Sequence, residues 1–243
     1  MKKNISAIVF AIAIVIASVI LGNAVINRNK KTGTIAVTGL GKTNFTSDLI
    51  VWEAKFSQVN SDLKQAYSDL KRDKESILTY FKAKGLSDDI IVFNAVETNK
   101  NFSPNYSTDG KYLGQDFTGY TLSQTVQINS NDVEKVEKIS REVTELLNKG
   151  IQLYSNPPRY YYTKLEDLKI EMIAQATDNA HLRAKSIAEN SGAILGELQT
   201  AQMGIFQITG QNSNEDYSWG GAYNTSSKEK TASITMKLTY LVK

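Results

Sequence analysis

Hydrophobic positions follow three spacings along the chain. The first is an unbroken apolar run at residues 5–26 (ISAIVFAIAIVIASVILGNAVI). It has 22 residues, no charge, and only Ser6, Ser18, Gly22 and Asn23 as interruptions. Such a run has no polar face to turn to water, unlike the helices on the surface of a globular domain. As a helix it measures roughly 33 Å, enough for the ~30 Å hydrocarbon core of a bilayer. Lys2 and Lys3 precede it, and Arg28, Lys30 and Lys31 follow. Residues 1–31 are therefore expected to form a signal anchor or transmembrane helix with basic flanks. Residues 32–243 are expected to form a domain on the extracytoplasmic side, because short N-terminal tails normally stay inside. The basic residues on both flanks leave the positive-inside count undecided. A cleaved signal peptide usually has a shorter apolar region, about 7–15 residues. Gly22 and Ala24 still offer small residues for cleavage, so a secreted or periplasmic product is the alternative.

The second spacing is two. Residues 33–41 (GTIAVTGLG) read as a strand ending in glycines. Within 45–59, Ile50, Trp52, Ala54 and Phe56 point one way, and Val51, Glu53, Lys55 and Ser57 point the other. This alternation of β-branched and aromatic residues marks a half-buried strand. Further strands are expected at 90–97, 112–129, 151–162, 196–209 and 231–242. The last puts Ala232, Ile234, Met236, Leu238 and Tyr240 on one side.

The third spacing is helical. One stripe holds Leu63, Ala66, Leu70, Ile77 and Phe81. The next holds Val133, Val136, Ile139, Val143, Leu146 and Leu147. The last holds Leu165, Leu168, Met172, Ala176, Ala180 and Ile187. They predict helices over 61–84, 132–149 and 164–190, stopped by Gly85, Gly150 and Gly192. Asn60 or Ser61 is the expected first cap, and Asn131 with Glu134 and Thr163 with Glu166 have capping-box spacing. The resulting order, β-β-α-β then β-α-β-α-β-β, predicts an α+β fold. It suggests two related α/β lobes, with mixed or antiparallel sheets each covered by amphipathic helices. Residues 99–116 and 210–230 are turn-rich and are expected to be mobile loops.

Charge and cysteine content narrow the function classes. The net charge is +3, but Lys2, Lys3, Arg28, Lys30 and Lys31 all lie in the first 31 residues, which hold no acid. Taking those five from the 28 bases leaves 23 against 25 acids, a net of −2. The folded part thus lacks the clustered Lys and Arg that nucleic acid requires. The absence of cysteine removes disulfides, thiolate metal sites and thiol nucleophiles.

Candidate chemistry is sparse. His181, the one histidine, sits among polar and alanine positions of a predicted helix and reads as structural or solvent-facing. Gly39-Leu40-Gly41-Lys42 has a passing likeness to a phosphate loop, but a strand follows it, so it reads as a turn between strands. Asp88-Asp89 and Asn214-Glu215-Asp216 read as solvated turns, without the alternating oxygen ligands of a calcium loop. Tyr160, Tyr161 and Tyr162 suit an edge strand. Glu166 and Asp167 are the carboxylates a hydrolase reading would need, yet no spacing matches them as acid and base. Tyr217, Trp219 and Tyr223 in the late glycine-rich loop are candidate interaction residues, since exposed aromatics are enriched at interfaces. No catalytic, cofactor-binding or metal set emerges, and no enzyme is expected.

Four stretches together resemble the SIMPL-domain family, a domain of unknown function. They are TIAVTGLGK at 34–42, KGLSDDIIVFNAV at 84–96, GYTLSQTVQIN at 119–129 and LKIEMIAQATDNAHLRAKSIAENSGAILGELQTAQ at 168–202. The motifs are structural, and their order and spacing carry the resemblance over nearly all of 33–243. The resemblance implies a bacterial cell-envelope protein, periplasmic or surface-associated, homo-oligomeric and linked to stress protection, without established catalytic residues. The long apolar segment and the aromatics of the late loop depart from common members. The expected function is a membrane-tethered envelope protein acting by assembly or contact with an envelope protein partner. An extracytoplasmic glycan- or peptide-binding module is the alternative.

Overall fold

A computed structural model describes residues 2–28 and 33–243, with the side chains of 9–25 and 33–243. The expected flanking bases Lys30 and Lys31, and the boundary between residues 31 and 32, lie outside the described residues. The helices are α1 (Lys2–Arg28), α2 (Leu63–Ala83), α3 (Val133–Glu142) and α4 (Leu165–Asn190). The strands are β1 (Gly33–Thr46), β2 (Leu49–Asn60), β3 (Ile91–Phe93), β4 (Glu97–Tyr106) and β5 (Tyr112–Ser130). They continue with β6 (Leu153–Ser155), β7 (Arg159–Tyr161), β8 (Leu195–Met203), β9 (Gln207–Gly210) and β10 (Glu229–Val242). The fold is α+β. One sheet has the order β1-β10-β8 with β9 also on β10. The other has the order β3-β5-β2-β6, with β4 on β5 and β7 on β2. The chain divides into two compact units, residues 1–41, 173–204 and 235–243, and residues 42–172 and 205–234.

In the second unit the predicted alternation of β2 holds residue by residue. Ile50, Trp52, Ala54 and Phe56 are completely buried. Two-residue periodicity puts all four on one face, and α2 and α3 both bury their stripes in the core they form. The two similar strand-helix-strand settings that suggested paired lobes therefore serve one sheet. Leu63 and Leu147, expected inside, are exposed, whereas Asp73 is buried and accepts the Gln58 amide at 2.6 Å. The caps are aspartates rather than the expected asparagines and serine: Asp62 accepts from Gln65 N at 2.8 Å and Asp132 from Lys135 N at 3.2 Å. Thr163 gives its hydroxyl to Asp48 at 2.7 Å instead of closing a capping box. The second helix tightens into a 3-10 segment at Val143–Lys149 before Gly150. Gly85, Gly150 and Gly192 all follow helices with φ near the left-handed region, at +82°, +75° and +74°.

Four expected elements differ. The strand expected at 90–97 is split, β3 ending at Phe93 and β4 beginning at Glu97. The segment 99–116 is not a loop: β4 and β5 form a hairpin whose turn closes through Ser107 N to Lys111 O at 2.9 Å. The strand expected at 151–162 breaks into β6 and β7 around Pro157-Pro158, which cannot donate to a ladder. The strand expected at 196–209 breaks at Gly204, where an added Cβ would meet Thr235 Oγ1 at 2.3 Å.

In the first unit the expected turn at Gly39-Leu40-Gly41-Lys42 is absent, because β1 runs straight through it. Gly39 serves close approach instead. A Cβ there would lie 2.0 Å from the Ala176 carbonyl and 2.5 Å from Ala180 N. The facing surface of α4 is Ala176, Ala180, Ala184 and Ala188, all fully buried, so its stripe continues through alanines and leaves Ile187 exposed. Helix α1 is described by side chains from Val9 to Val25, all exposed. The described side chains are therefore not buried within the chain. These 17 residues make about 26 Å of helix, and among the described residues no helix is long and apolar enough to cross a membrane.

Gly39→Ala should destabilise the protein by about 3 kcal/mol or more, since the opposing atoms are helix backbone that cannot yield. Gly220→Ala, whose nearest neighbour atom lies 4.0 Å away, should stay within about 0.5 kcal/mol of wild type. Urea unfolding followed by circular dichroism compares the two.

Candidate interaction loop

The loop 211–228, between β9 and β10, is polar and glycine-rich yet closely tied down. Gln207 on β9 is buried and uses its amide three times. Its Nε2 donates to Ser218 O at 2.8 Å, while its Oε1 accepts from Ala222 N at 2.6 Å and Ser218 N at 3.2 Å. Asn224, also buried, takes Ser227 N on its Oδ1 at 2.8 Å and donates its Nδ2 to Glu215 and Ser226. Backbone bonds Ile208 N to Ala222 O (2.7 Å) and Asn224 N to Ile208 O (2.9 Å) hold the returning segment on β9. Glu215, expected in a solvated turn, accepts Gly210 N at 2.8 Å as well as the Asn224 amide. The Gly210 N–H, helped by Asn224 and Ser213, keeps its carboxyl below the usual glutamate range. The loop expected to be mobile is thus a set of satisfied turns.

Beneath it lies Lys230, only 1% exposed, whose ammonium donates to the Ser227 carbonyl. Burial pushes its pKa down to about 8, and the Glu215 carboxylate opposes the shift. Gln207, Asn224 and Lys230 were missed in the sequence because each reads locally as an ordinary polar residue of a strand or turn. The one available signal was Lys230 at the start of a strand otherwise apolar on one face.

The three aromatics predicted for this loop are not equivalent. Trp219 is 96% exposed and Tyr217 is 65% exposed. Tyr223 is half exposed and makes a parallel bridge to Ile208, so it also holds the loop in place. A polar cleft beside the loop is lined by Lys42, Asn44, Glu215, Tyr217 and Thr231.

A family model described as SIMPL, a protein of unknown function (DUF541), matches residues 35–240. The chain belongs to the SIMPL family. No curated protein matches it. The SIMPL match takes in the loop, its supporting residues and both sheets. The four stretches quoted from the sequence fall within the match or across its start.

The other candidates lie apart from the loop's supports. His181 Nδ1 is 3.2 Å from the Tyr240 hydroxyl, with the rings edge to face, and its side chain faces solvent. Asp88 pairs with Lys82 at 2.8 Å. Glu166 and Asp167 are exposed in the first turn of α4, where carboxylates favour the positive end of the helix dipole. Tyr160 is buried, so the tyrosine strand does not present it to a ligand. Among the described residues, no group of three His, Cys, Asp or Glu side chains could hold a metal ion.

The Lys230 environment sets a pH dependence. Its folded pKa lies below the unfolded value, so between about pH 8 and 10.5 the unfolded chain binds more protons than the native one. Stability from this group therefore rises with pH across that window and is flat below it. In thermal melts from pH 7 to 9.5, wild type should gain on Lys230→Met as pH increases. Parallel curves would show that the charge is not buried as described.

Proposed function

We propose that this SIMPL-family protein is a membrane-tethered envelope protein whose folded part acts by protein contact, with copies of itself and with an envelope partner, and performs no catalysis. The reading rests chiefly on Trp219, an almost bare indole on a loop held by buried Gln207 and Asn224. A large aromatic in water gains nothing for the isolated fold, whereas a preorganised aromatic loses little entropy on binding. Export and tethering are supported by the 22 uncharged residues at 5–26. They are supported too by the helix Lys2–Arg28, whose described side chains find no cover within the chain. A role in envelope stress protection is part of this reading, carried over from the sequence resemblance alone.

A photo-crosslinker placed at Gly220, beside Trp219, in intact cells should capture an envelope protein, and the full chain should stay in the membrane pellet after alkaline carbonate. Trp219→Ala should weaken partner capture about 30-fold, with the melting temperature unchanged. Capture unaffected by the substitution, or a soluble cytosolic full-length chain, would remove this reading.

The polar cleft favours a second reading, a glycan- or peptide-binding module, because Tyr217 there adjoins amide, hydroxyl and carboxylate groups. Calorimetric titration with envelope glycans should then show binding lost in Tyr217→Ala. No heat from any glycan or peptide tested would dismiss it.

A further inference from the structure

The β4–β5 hairpin carries a second exposed surface, unrelated to the Trp219 loop. Strand β5 pairs with β2 only from Ser130 back to Tyr120. Below that, residues 112–119 pair with β4 alone. A register shift between Asn101 and Phe102 marks the exit, and Gly119 there passes so near β2 that a Cβ would meet Asn60 O at 2.6 Å. Beyond this point the hairpin is a free two-stranded ribbon, an arrangement that is only marginally stable in water by itself.

The ribbon is amphipathic, with its apolar face uncovered. Phe102 pairs with Phe117 and Tyr106 with Tyr112, ring centroids 5.8 and 5.7 Å apart. The Pro104–Gln115 rung lies between them. All four rings are about half exposed. The opposite face is polar: Asn105 donates to Asp116 at 2.9 Å, beside Ser103. Pro104 lacks an N–H in the middle of the outer strand, which discourages addition of another strand at that edge. The apolar face is what remains open.

We infer that this face is the self-association surface of the protein, two copies packing hairpin to hairpin about a two-fold axis through the Pro104–Gln115 rung. The inference rests on the self-association in the proposed function and names its surface. From Phe102 to Tyr112 the face holds no charge, so an identical face can cover it without burying one. The layout is also self-complementary. Successive same-face rungs are roughly 7 Å apart, so a two-fold at the ring-free rung sets the phenylalanine pair of one copy over the tyrosine pair of the other. Phenol hydroxyls then reach the rim, and the contact is isologous, as closed dimers require. Each half-exposed ring offers roughly 100 Å². With Pro104 and Leu113, two copies bury about 1,000 Å², the lower bound of a specific interface. The dimer is therefore weak and concentration-dependent.

The chain has no cysteine, so single cysteines report the geometry directly. In the full chain reconstituted in lipid vesicles, Gln115→Cys should form a disulfide-linked dimer on mild oxidation, and Asn105→Cys on the reverse face should not. In detergent, light scattering across a concentration series should show Phe102→Ser with Phe117→Ser weakening the wild-type dimer about 30-fold or more. Circular dichroism checks that these half-exposed positions leave the fold intact. Ser103→Ala, on the polar face, should dimerise like wild type. Self-association that survives the serine pair, with no Gln115→Cys crosslink, would overturn this surface but not the proposed function. A wild-type monomer at every concentration would overturn both. Quenching of a fluorophore on Gln115→Cys by brominated lipid would assign the face to the bilayer and overturn the inference.

Discussion

Trp52 anchors the larger unit. Its ring meets Phe81 of α2 edge-on at 5.8 Å, a geometry worth about 0.5–1.5 kcal/mol beyond burial. Its indole N–H donates to Ser155 on β6 at 3.0 Å, and the Ser155 hydroxyl passes on to the Ser140 carbonyl of α3 at 3.0 Å. One completely buried side chain thus touches one helix through its ring and reaches the other through a hydroxyl relay. A buried indole without a partner for its N–H would carry a desolvation cost, so the relay lets so large a ring sit at the centre. Strand β2, which carries Trp52, pairs with β5, β6 and β7. A change in its register would turn Trp52 to the solvent face and remove the platform for both helices.

The loop 211–228 solves the opposite problem. It has few apolar residues to bury, so order must come from satisfied polar groups. Gln207 acts as a substitute for backbone by meeting three of the loop's peptide groups, and Asn224 ties the Ser227 N–H to the Glu215 and Ser226 side chains. Lys230 completes the support by giving its ammonium to a loop carbonyl, and burial makes that charge costly. With these groups inside, Trp219 is left in water on fixed turns. The β4–β5 hairpin exposes aromatics by another route, as a ribbon that runs past its neighbouring strand. The loop presents Trp219 with Tyr217 from a polar scaffold, whereas the hairpin presents a charge-free row. The first suits a partner with a pocket and the second suits another flat face.

Burial of ordinary apolar residues was legible wherever the period was strong. The inward residues of β2 and β10 and most of the helix stripes are inside as expected. The errors fell where a polar or small residue is inside for a reason set far away in the chain. Asp73 is buried because Gln58 meets it, and beyond the expected Ala176 and Ala180 the buried stripe of α4 goes on through Ala184 and Ala188 instead of Ile187. Phe102 and Tyr106 looked like loop residues because asparagine, proline and serine around them signal turns, yet ring pairs with Phe117 and Tyr112 of the expected strand draw them into a ladder. Of the loop site, the aromatics were legible and their supports were not.

The sequence by itself determined the helices and most of the strands, the glycine stops, the buried face of β2 and the membership of the SIMPL family. These follow from residues within a few positions of one another and from their order along the chain. Tertiary structure alone decided that α2 and α3 share one core, that Gly39 is a contact rather than a turn, that residues 99–116 form a hairpin, and that Glu215 and Lys230 brace a loop. The shared core and the Gly39 contact depend on packing partners distant in sequence, about which local spacing carries no information; the hairpin and the braced loop depend on nearer partners, brought together only by how the intervening chain turns.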